Sequence, residues 1–398
     1  MSGMSADRKN LSGARTILAD SITDNGMTNP PVPSVNLMEA HQQWASRPAD
    51  ERFETLSALR ESVSARRLRS RSVDIDCGRT EVKDDNGLLT INGTITPCEP
   101  THWSFGQLST LVKAPAGYLR TLPNDLVVRN LNHGLKESGR ETVKFMTIAN
   151  EDGGLNRLQA VTSTTYGRIW DADCVDAVAR IQERTDGRFY NPKAYVGGTQ
   201  KPSGLYASDR DVFMFMIDGG SLLDAGPRAQ LNRGFFCWNS EVGARTFGLT
   251  TFLFNVVCGN HIVWGARDVN KVIIRHTEGG PARFDNQAAP ALLEYCNRSG
   301  NEDLEAIRRA QSKLIPIEDR KITVDDLIKF TSRAAKFTRS ELSSAIDFAK
   351  SEEGDCKTVW QLVQGLTAYA RGFDFVDARI DLETRAGKLL ALADAVSS

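Results

Sequence analysis

Positively charged residues and aromatic rings are interleaved in the stretch between Asp218 and Arg283. Single-stranded nucleic acid is commonly held by cations that follow its phosphates and by rings that stack on its bases, each stack contributing about 1–3 kcal/mol. We therefore predict a nucleic-acid-binding face in this stretch, in which Trp264 is a further candidate ring. Its candidate residues are Arg228, Arg233, Phe235, Trp238, Arg245, Arg267, Lys271 and Arg275.

The same stretch has a second interpretation, in which its rings belong to the hydrophobic core. Phe252 and Phe254 alternate along a β-prone run, and Phe247 lies just before them. Side chains at alternate positions of a strand share one face of the sheet, and a face rich in phenylalanine is usually buried. The sequence leaves open which of the rings are buried and which are accessible.

Sequence motifs for familiar enzyme chemistry are absent. The chain contains no phosphate-binding loop, no paired-histidine zinc motif, no nucleophile elbow and no dinucleotide-binding glycine motif. Paired acids, such as Asp171 with Asp173 or Asp325 with Asp326, could hold the metal ions of a nuclease. Each pair lies where a helix is predicted to begin, however, and acids there usually complement the helix dipole. We therefore predict no metal, no cofactor and no catalytic residue.

Composition and charge describe an ordinary folded protein. Its 398 residues carry a formal net charge of -1, so any affinity for nucleic acid must come from a local patch. The seven cysteines are scattered and contain no close pair, which favours buried thiols over a disulfide framework. Neither a membrane-spanning run nor a secretory signal is recognisable, so we expect a cytoplasmic protein that does not bind membranes.

Four regions follow one another along the chain. Residues 1–34 are rich in Ser, Asn, Gly and Pro and are predicted to be a flexible arm. Residues 35–140 show mainly helical spacing, with a β-hairpin predicted around Asn86 and Gly87. Residues 141–283 are predicted to form an antiparallel sheet domain that begins with a strand, a strand and a helix. Residues 284–398 show helical spacing throughout, so the predicted class is α+β, with one central sheet and an all-helical C-terminal third.

Several phrases of the sequence resemble the phage/plasmid-like proteins, a family of mobile elements defined by a domain of unknown function. The phrases lie at residues 103–108 with 119–123, 160–169, 238–243, 252–260, 274–277, and 358–362 with 366–369. Two positions depart from the family pattern. Asn255 stands where the family often has arginine, and residues 364–368 read Gln-Gly-Leu-Thr-Ala in place of an Asn-Ala-x-Thr-Glu phrase.

The resemblance implies a mobile-element origin and a bacterial host cytoplasm but no particular reaction. The predicted order of strands and helix is also similar to that of phage single-strand annealing proteins, a fold-level analogy. We therefore expect a non-enzymatic protein that binds and anneals single-stranded DNA in phage recombination or replication. It would act as a ring or filament of identical subunits, with a phage exonuclease or a host protein as a further partner.

Two alternatives from other classes stay open. A phage protein that binds and inhibits a host protein would fit the near-neutral net charge. A metal-dependent nuclease would need acids that come together only in the folded chain. Affinity for oligonucleotides, a captured host protein and a metal-dependent cleavage assay distinguish the three functions.

Overall fold

The computed structural model describes residues 47–93, 96–196, 199–202, 204–256, 260–262, 272–296, 301–317 and 321–393. These residues form helices, two large, mostly antiparallel sheets and a separate two-stranded sheet, which confirms the predicted α+β class. The arm predicted at residues 1–34 lies outside the described residues. In the described part of the chain, no helix is both long and apolar enough to cross a bilayer.

The smaller sheet contains six strands in the order β2-β6-β7-β5-β4-β3. These are β2 (Ser70–Asp76), β3 (Glu81–Asp85), β4 (Leu88–Asn92), β5 (Cys98–Pro100), β6 (Thr142–Ile148) and β7 (Asn156–Thr162). The hairpin predicted around Asn86 joins β3 to β4. Asn86 and Gly87 have φ of 55° and 89°, the left-handed backbone that a two-residue hairpin turn requires.

Helices cover one face of the small sheet. They are α2 (His102–Leu111), the short α3 (Ala116–Leu119) and α4 (Asn124–Glu137). Val127, Leu131 and Leu135 recur every fourth residue along α4 and are buried against the sheet, as an amphipathic helix requires. This layer places α2 beside β7.

The larger sheet contains eight strands, and its main path runs β1-β11-β12-β13-β14-β15. β8 pairs with β12 and β16 pairs with β14. Its members are β1 (Glu51–Arg52), β8 (Phe189–Tyr190), β11 (Leu205–Ala207), β12 (Val212–Asp224), β13 (Gln230–Asn239), β14 (Phe247–Asn255), β15 (Asn260–Ile262) and β16 (Val272–Ile274). A separate two-stranded sheet pairs β9 (Lys193–Val196) with β10 (Thr199–Pro202).

Both faces of the large sheet are covered. One face packs on α1 (Leu56–Arg69), α5 (Asp171–Arg184) and α6 (Gly280–Cys296). The other face carries a layer of phenylalanines, among them Phe213, Phe236 and Phe252, and packs on Val376. Because residues on both faces are apolar, the sequences of the central strands are nearly continuous hydrophobic runs.

The C-terminal region is helical, as predicted. Its helices are α7 (Asn301–Ser312), α8 (Val324–Thr331), α9 (Arg339–Glu353), α10 (Val359–Ala370) and α11 (Val376–Lys388). Thr323 and Thr338 begin α8 and α9 with capping boxes that pair them with Asp326 and Glu341.

The strands are divided differently from the prediction. The sequence indicated one central sheet, whereas β6 and β7 leave the large sheet and join the N-terminal hairpin. The link is β5, which pairs in parallel with β7, so that Cys98 lies opposite Asn156. Pairing between segments so far apart does not affect the spacing of apolar residues within each strand. The sequence therefore did not reveal the second sheet.

Candidate anion-binding pocket

Arg233 lies in the interior rather than on an open face. It is on β13 and only 5% exposed, and its Nε donates to Asp303 Oδ2 of α7 at 3.1 Å. Burial raises the pKa of the Asp303 carboxyl, while Arg233 acts in the opposite direction. The guanidinium therefore joins the helical region to the sheet, in a buried ion pair.

The two candidate rings of β13 lie on opposite faces of the sheet. Phe235 is 1% exposed and packs in the core beside Phe189, with ring centroids 5.4 Å apart. Trp238 is half-buried and packs on Phe236 of the other face, at 5.0 Å. In this arrangement one strand of nucleic acid cannot stack on both rings.

The remaining candidate cations are separated from one another. Arg228 lies in the turn before β13 and donates to the backbone carbonyl of Glu352 at 3.2 Å. Arg245 lies beyond the other end of β13, with its guanidinium 3.2 Å from Asp211 and 3.3 Å from Asp377. Arg275 is exposed after β16. Arg267, Lys271 and Trp264 lie outside the described residues. The described candidates thus do not form one shared groove.

A buried charged cluster lies where the two sheets approach each other. The Arg66 guanidinium of α1 is 2.6 Å from Asp171 Oδ2 and 3.2 Å from Glu241 Oε1. Asn239 donates to Asp171 Oδ1 at 2.8 Å. Burial, and then the neighbouring Glu241, raise the pKa of Asp171 well above its usual range.

This cluster fixes the loop after β13. The Asp171 backbone N–H donates to Glu241 Oε2 at 3.1 Å, and Arg168 donates to the Glu241 backbone carbonyl. No group of three His, Cys, Asp or Glu residues with metal-binding geometry occurs in the described part of the chain. The cysteines Cys77, Cys98, Cys174, Cys237 and Cys356 are buried and free, as predicted for scattered thiols.

A cavity of about 640 Å³ lies beside this loop, between the small sheet and the loops of the large sheet. Among the described residues, its charged and ionisable lining groups are basic, and no carboxylate lines it. We name it the basic pocket. It is lined by His102, Trp103, Gly106, Gln107, Thr110, Leu111, Lys113, Arg120, Ser138, Arg140, Val143, Val161, Thr162, Ser163, Arg210 and Gly243.

Helix α2 forms one wall of the basic pocket and is held firmly in place. Thr101 and Ser104 form a capping box at its start, and Ser104 Oγ also donates to the Leu158 carbonyl of β7 at 2.6 Å. Gln107 accepts from the Val161 N–H and donates to the Val242 carbonyl, both at 2.8 Å. The wall is thereby tied to both sheets.

Trp103 and two arginines line the more buried part of the basic pocket. The Trp103 indole N–H donates to the Val242 carbonyl at 3.1 Å, and the Arg210 guanidinium lies 5.3 Å from its ring centroid. Arg120 donates to the His102 carbonyl at 2.9 Å. Burial, and then the charge of Arg210, lower the pKa of Arg120. Two like charges are thus held near each other.

His102 is neutral at physiological pH. Burial, followed by the charges of Arg120 and Arg210, lowers the pKa of its imidazole to about 4. Its Nδ1 is buried and has no hydrogen-bond partner among the described residues, and the same is true of Arg210 Nη2. Buried polar atoms of this kind are uncommon in folded proteins.

Lys113 and Arg140 are exposed at the rim of the basic pocket. Neither forms an ion pair with a described residue, so both charges are available to a ligand. The pocket therefore combines four cations with an indole ring, a neutral imidazole and the amide of Gln107. Such a lining can bind an anion that also carries a flat ring, since it offers charge, hydrogen bonds and a stacking surface.

Sequence reasoning missed these cations because they come from segments far apart in the chain. One signal was present: residues 103–108, 119–123 and 160–169, which carry the family resemblance, contribute Trp103, Gln107, Arg120, Val161 and Thr162 to the basic pocket. Arg140 and Arg210 have no local motif.

Part of the chain matches a family model. A family model described as Domain of unknown function (DUF932) matches residues 198–388. The matched segment contains Arg210 and Gly243 of the basic pocket, and it ends before the end of the chain. Searches of curated proteins and of solved structures return no match. Residues 198–388 are therefore similar to a domain of unknown function, which agrees with the coarser part of the predicted resemblance.

Proposed function

We propose that this protein binds single-stranded DNA and that the basic pocket is where the strand is held. The observation that carries the proposal is the lining of that pocket, in which Lys113, Arg120, Arg140 and Arg210 meet no lining carboxylate among the described residues. Phosphate groups are the natural counter-ions for such a lining, and each contacted phosphate makes binding sensitive to salt.

Trp103 supplies the stacking surface in this proposal. Its ring is half-buried, lines the basic pocket and lies against the Arg210 guanidinium. Bases stack on aromatic rings and on guanidinium planes without regard to sequence, so the binding is expected to be sequence-tolerant. Phe235, the ring named from the sequence, is buried and takes no part.

The wider role follows from the resemblance rather than from the pocket. A phage or mobile-element protein that binds single strands without catalytic chemistry fits a role in annealing DNA during recombination or replication. Assembly into a ring or filament would let neighbouring pockets follow one strand.

The test compares two variants that lose the same charge. Lys113→Ala with Arg140→Ala removes the exposed rim cations, whereas Lys329→Ala with Arg333→Ala removes two exposed cations of the C-terminal region. Affinity for a fluorescent oligonucleotide is measured by anisotropy across a salt series. Each lost phosphate contact lowers the logarithmic salt slope by about 0.7 for a single strand, so the rim variant should lose about one to one and a half.

The control pair should leave the slope unchanged. Absence of oligonucleotide binding by the unaltered protein at low salt would overturn the proposed function. Equal losses in the two double variants would show that binding follows net charge rather than the basic pocket.

A further inference from the structure

We propose that strand β2, at one edge of the small sheet, pairs with β2 of a second copy of this chain. The pairing is antiparallel and two-fold, with Val73 opposite Val73 of the second copy. It goes beyond the proposed function, since no residue of β2 lines the basic pocket. The inference follows from the difference between the two edges of the small sheet, from the backbone groups of β2 and from the order of its side chains.

The two edges of the small sheet, β2 and β3, differ in their surroundings. Helix α4 covers the β3 edge, because the Val82 N–H donates to Asn132 Oδ1 at 2.7 Å and Asn132 Nδ2 donates to the Val82 carbonyl at 2.8 Å. Among the described strands, β2 pairs only with β6, and residues 71–74 are exposed. An uncovered edge strand is a template for pairing with another chain.

The even-numbered residues of β2 point their backbone groups away from β6. Just beyond the end of β2, the Cys77 N–H donates to the Glu141 carbonyl at 2.9 Å, in continuation of the register between β2 and β6. Because such pairs alternate along an antiparallel ladder, the odd-numbered residues of β2 bond to β6. Ser72 and Asp74 therefore present their N–H and C=O groups outward. No described residue forms a backbone hydrogen bond with these outward groups.

The side chains of β2 are complementary to their own copy. Antiparallel pairing about Val73 places Ser72 opposite Asp74 of the second copy, and Asp74 opposite its Ser72. Both are hydrogen-bonded pairs, which use the outward backbone groups. Each serine hydroxyl can donate to the carboxylate opposite, since the two side chains share one face of the sheet. Val73 meets its own copy in the intervening pair, where opposite side chains approach closely.

Other two-fold registers are less favourable. Pairing about Asp74 would place two carboxylates directly opposite each other, which is destabilising. Pairing about Ser72 would leave the last residues of β2 without a partner strand. In the register about Val73, all seven residues of β2 are paired and no like charges are directly opposite. The two Asp74 carboxylates then lie on a diagonal, about 7–8 Å apart, so salt should strengthen the contact.

Exposed apolar side chains lie at this edge. Val73 is 42% exposed, and Leu68, two residues before β2, is 76% exposed. No other large apolar side chain in the described part of the chain is as exposed as Leu68. Pairing removes Val73 from water, which adds hydrophobic stabilisation to the backbone hydrogen bonds. A two-fold contact closes on itself, so a ring or filament would need a second contact.

The test measures the mass of the protein in solution by analytical ultracentrifugation over a concentration series, without DNA. We expect the unaltered protein to approach twice the mass of one chain. Val73→Lys places two cations opposite each other and should weaken this association about tenfold or more. Leu126→Lys is the matched control, because Leu126 is 39% exposed on α4, away from β2. The control should associate as the unaltered protein does.

A cysteine variant tests the register. Val73→Cys places two thiols in a pair whose Cα atoms are about 4.5 Å apart, within the range of a disulfide. With glutathione disulfide as the oxidant, the two thiols form one disulfide and two glutathione thiols are released. This variant should give a covalent dimer on a non-reducing gel, whereas Leu126→Cys should not.

The results separate this inference from the proposed function. A single-chain mass for the unaltered protein at every concentration would overturn the inference, as would equal association of Val73→Lys and Leu126→Lys. Absence of a covalent dimer in Val73→Cys would overturn the register about Val73. Because these experiments contain no oligonucleotide, none of their outcomes decides whether the basic pocket binds single-stranded DNA.

Discussion

At the scale of residues, long side chains of this protein serve two distinct purposes. Arg233 and Arg66 are structural, since each neutralises buried carboxylates that belong to another element. Arg120 and Arg210 instead line the basic pocket, with Asp209 Oδ1 3.5 Å from the Arg210 Nε. Residue type alone does not separate these roles. The decisive information is whether a side chain lines a cavity, and that is a property of the fold.

Two departures from the family pattern meet in the structure. Asn255 and Gln364 are fully buried, and the Asn255 amide donates to Gln364 Oε1 at 3.4 Å and to the Arg228 carbonyl at 2.9 Å. Both positions therefore belong to the contact between β14 and α10. A binding role tied to either position would first require it to leave the interior.

His276 makes stability depend on pH. Its ring is stacked on Tyr166, its Nδ1 accepts from the Ile169 N–H at 3.3 Å, and burial lowers its pKa to about 4. Between pH 6.5 and 4 the unfolded chain takes up a proton at this position and the folded chain does not. The folded state therefore loses stability as the pH falls, by up to about 2 kcal/mol between pH 7 and 5.

His276→Asn keeps a hydrogen-bond acceptor near the position of Nδ1 and removes the titratable imidazole. Urea unfolding at pH 7 and pH 5 should show a smaller loss of unfolding free energy in this variant than in the unaltered protein. The same loss in both proteins would show that the His276 imidazole does not titrate as described.

At the scale of elements, the sequence correctly predicted the features that depend on residues close together in the chain. The hairpin at Asn86 and Gly87 and the helical spacing of the C-terminal region both appear in the structure. Each depends on residues within a few positions of one another. The division of strands between two sheets depends instead on the pairing of β5 with β7, which local spacing does not record.

Close packing of α9 against α10 gives a prediction for Gly365. A Cβ atom built there would lie 2.1 Å from the Ala345 backbone carbonyl oxygen, so the two helices would have to separate. We expect Gly365→Ala to lower the free energy of unfolding by about 1–3 kcal/mol.

Gly117→Ala is the matched control for this substitution. It lies in α3, where an added Cβ meets no atom within 4 Å. Because alanine favours helix more than glycine, this change should be neutral or stabilising by up to about 1 kcal/mol. Both are measured by urea denaturation, and a neutral Gly365→Ala would contradict the close approach of the helices.

At the scale of the whole molecule, the basic pocket depends on the two sheets being brought together. Its lining comes from α2 and the residues that follow it, from the ends of β6 and β7, and from Arg210 and Gly243 of the large sheet. The buried cluster of Arg66, Asp171 and Glu241 fixes the loop that carries Gly243. The candidates predicted from the sequence therefore lie within residues 228–275, whereas the cations of the basic pocket come from separate segments of the chain.

The most direct measurement is photo-cross-linking of an oligonucleotide that contains 5-iodouracil, followed by mass spectrometry of the cross-linked peptides. We expect cross-links to the peptide that contains Trp103, because we propose that ring as the stacking surface of the basic pocket. Cross-links confined to peptides around Trp238, with none at Trp103, would contradict it and return the binding face to the large sheet.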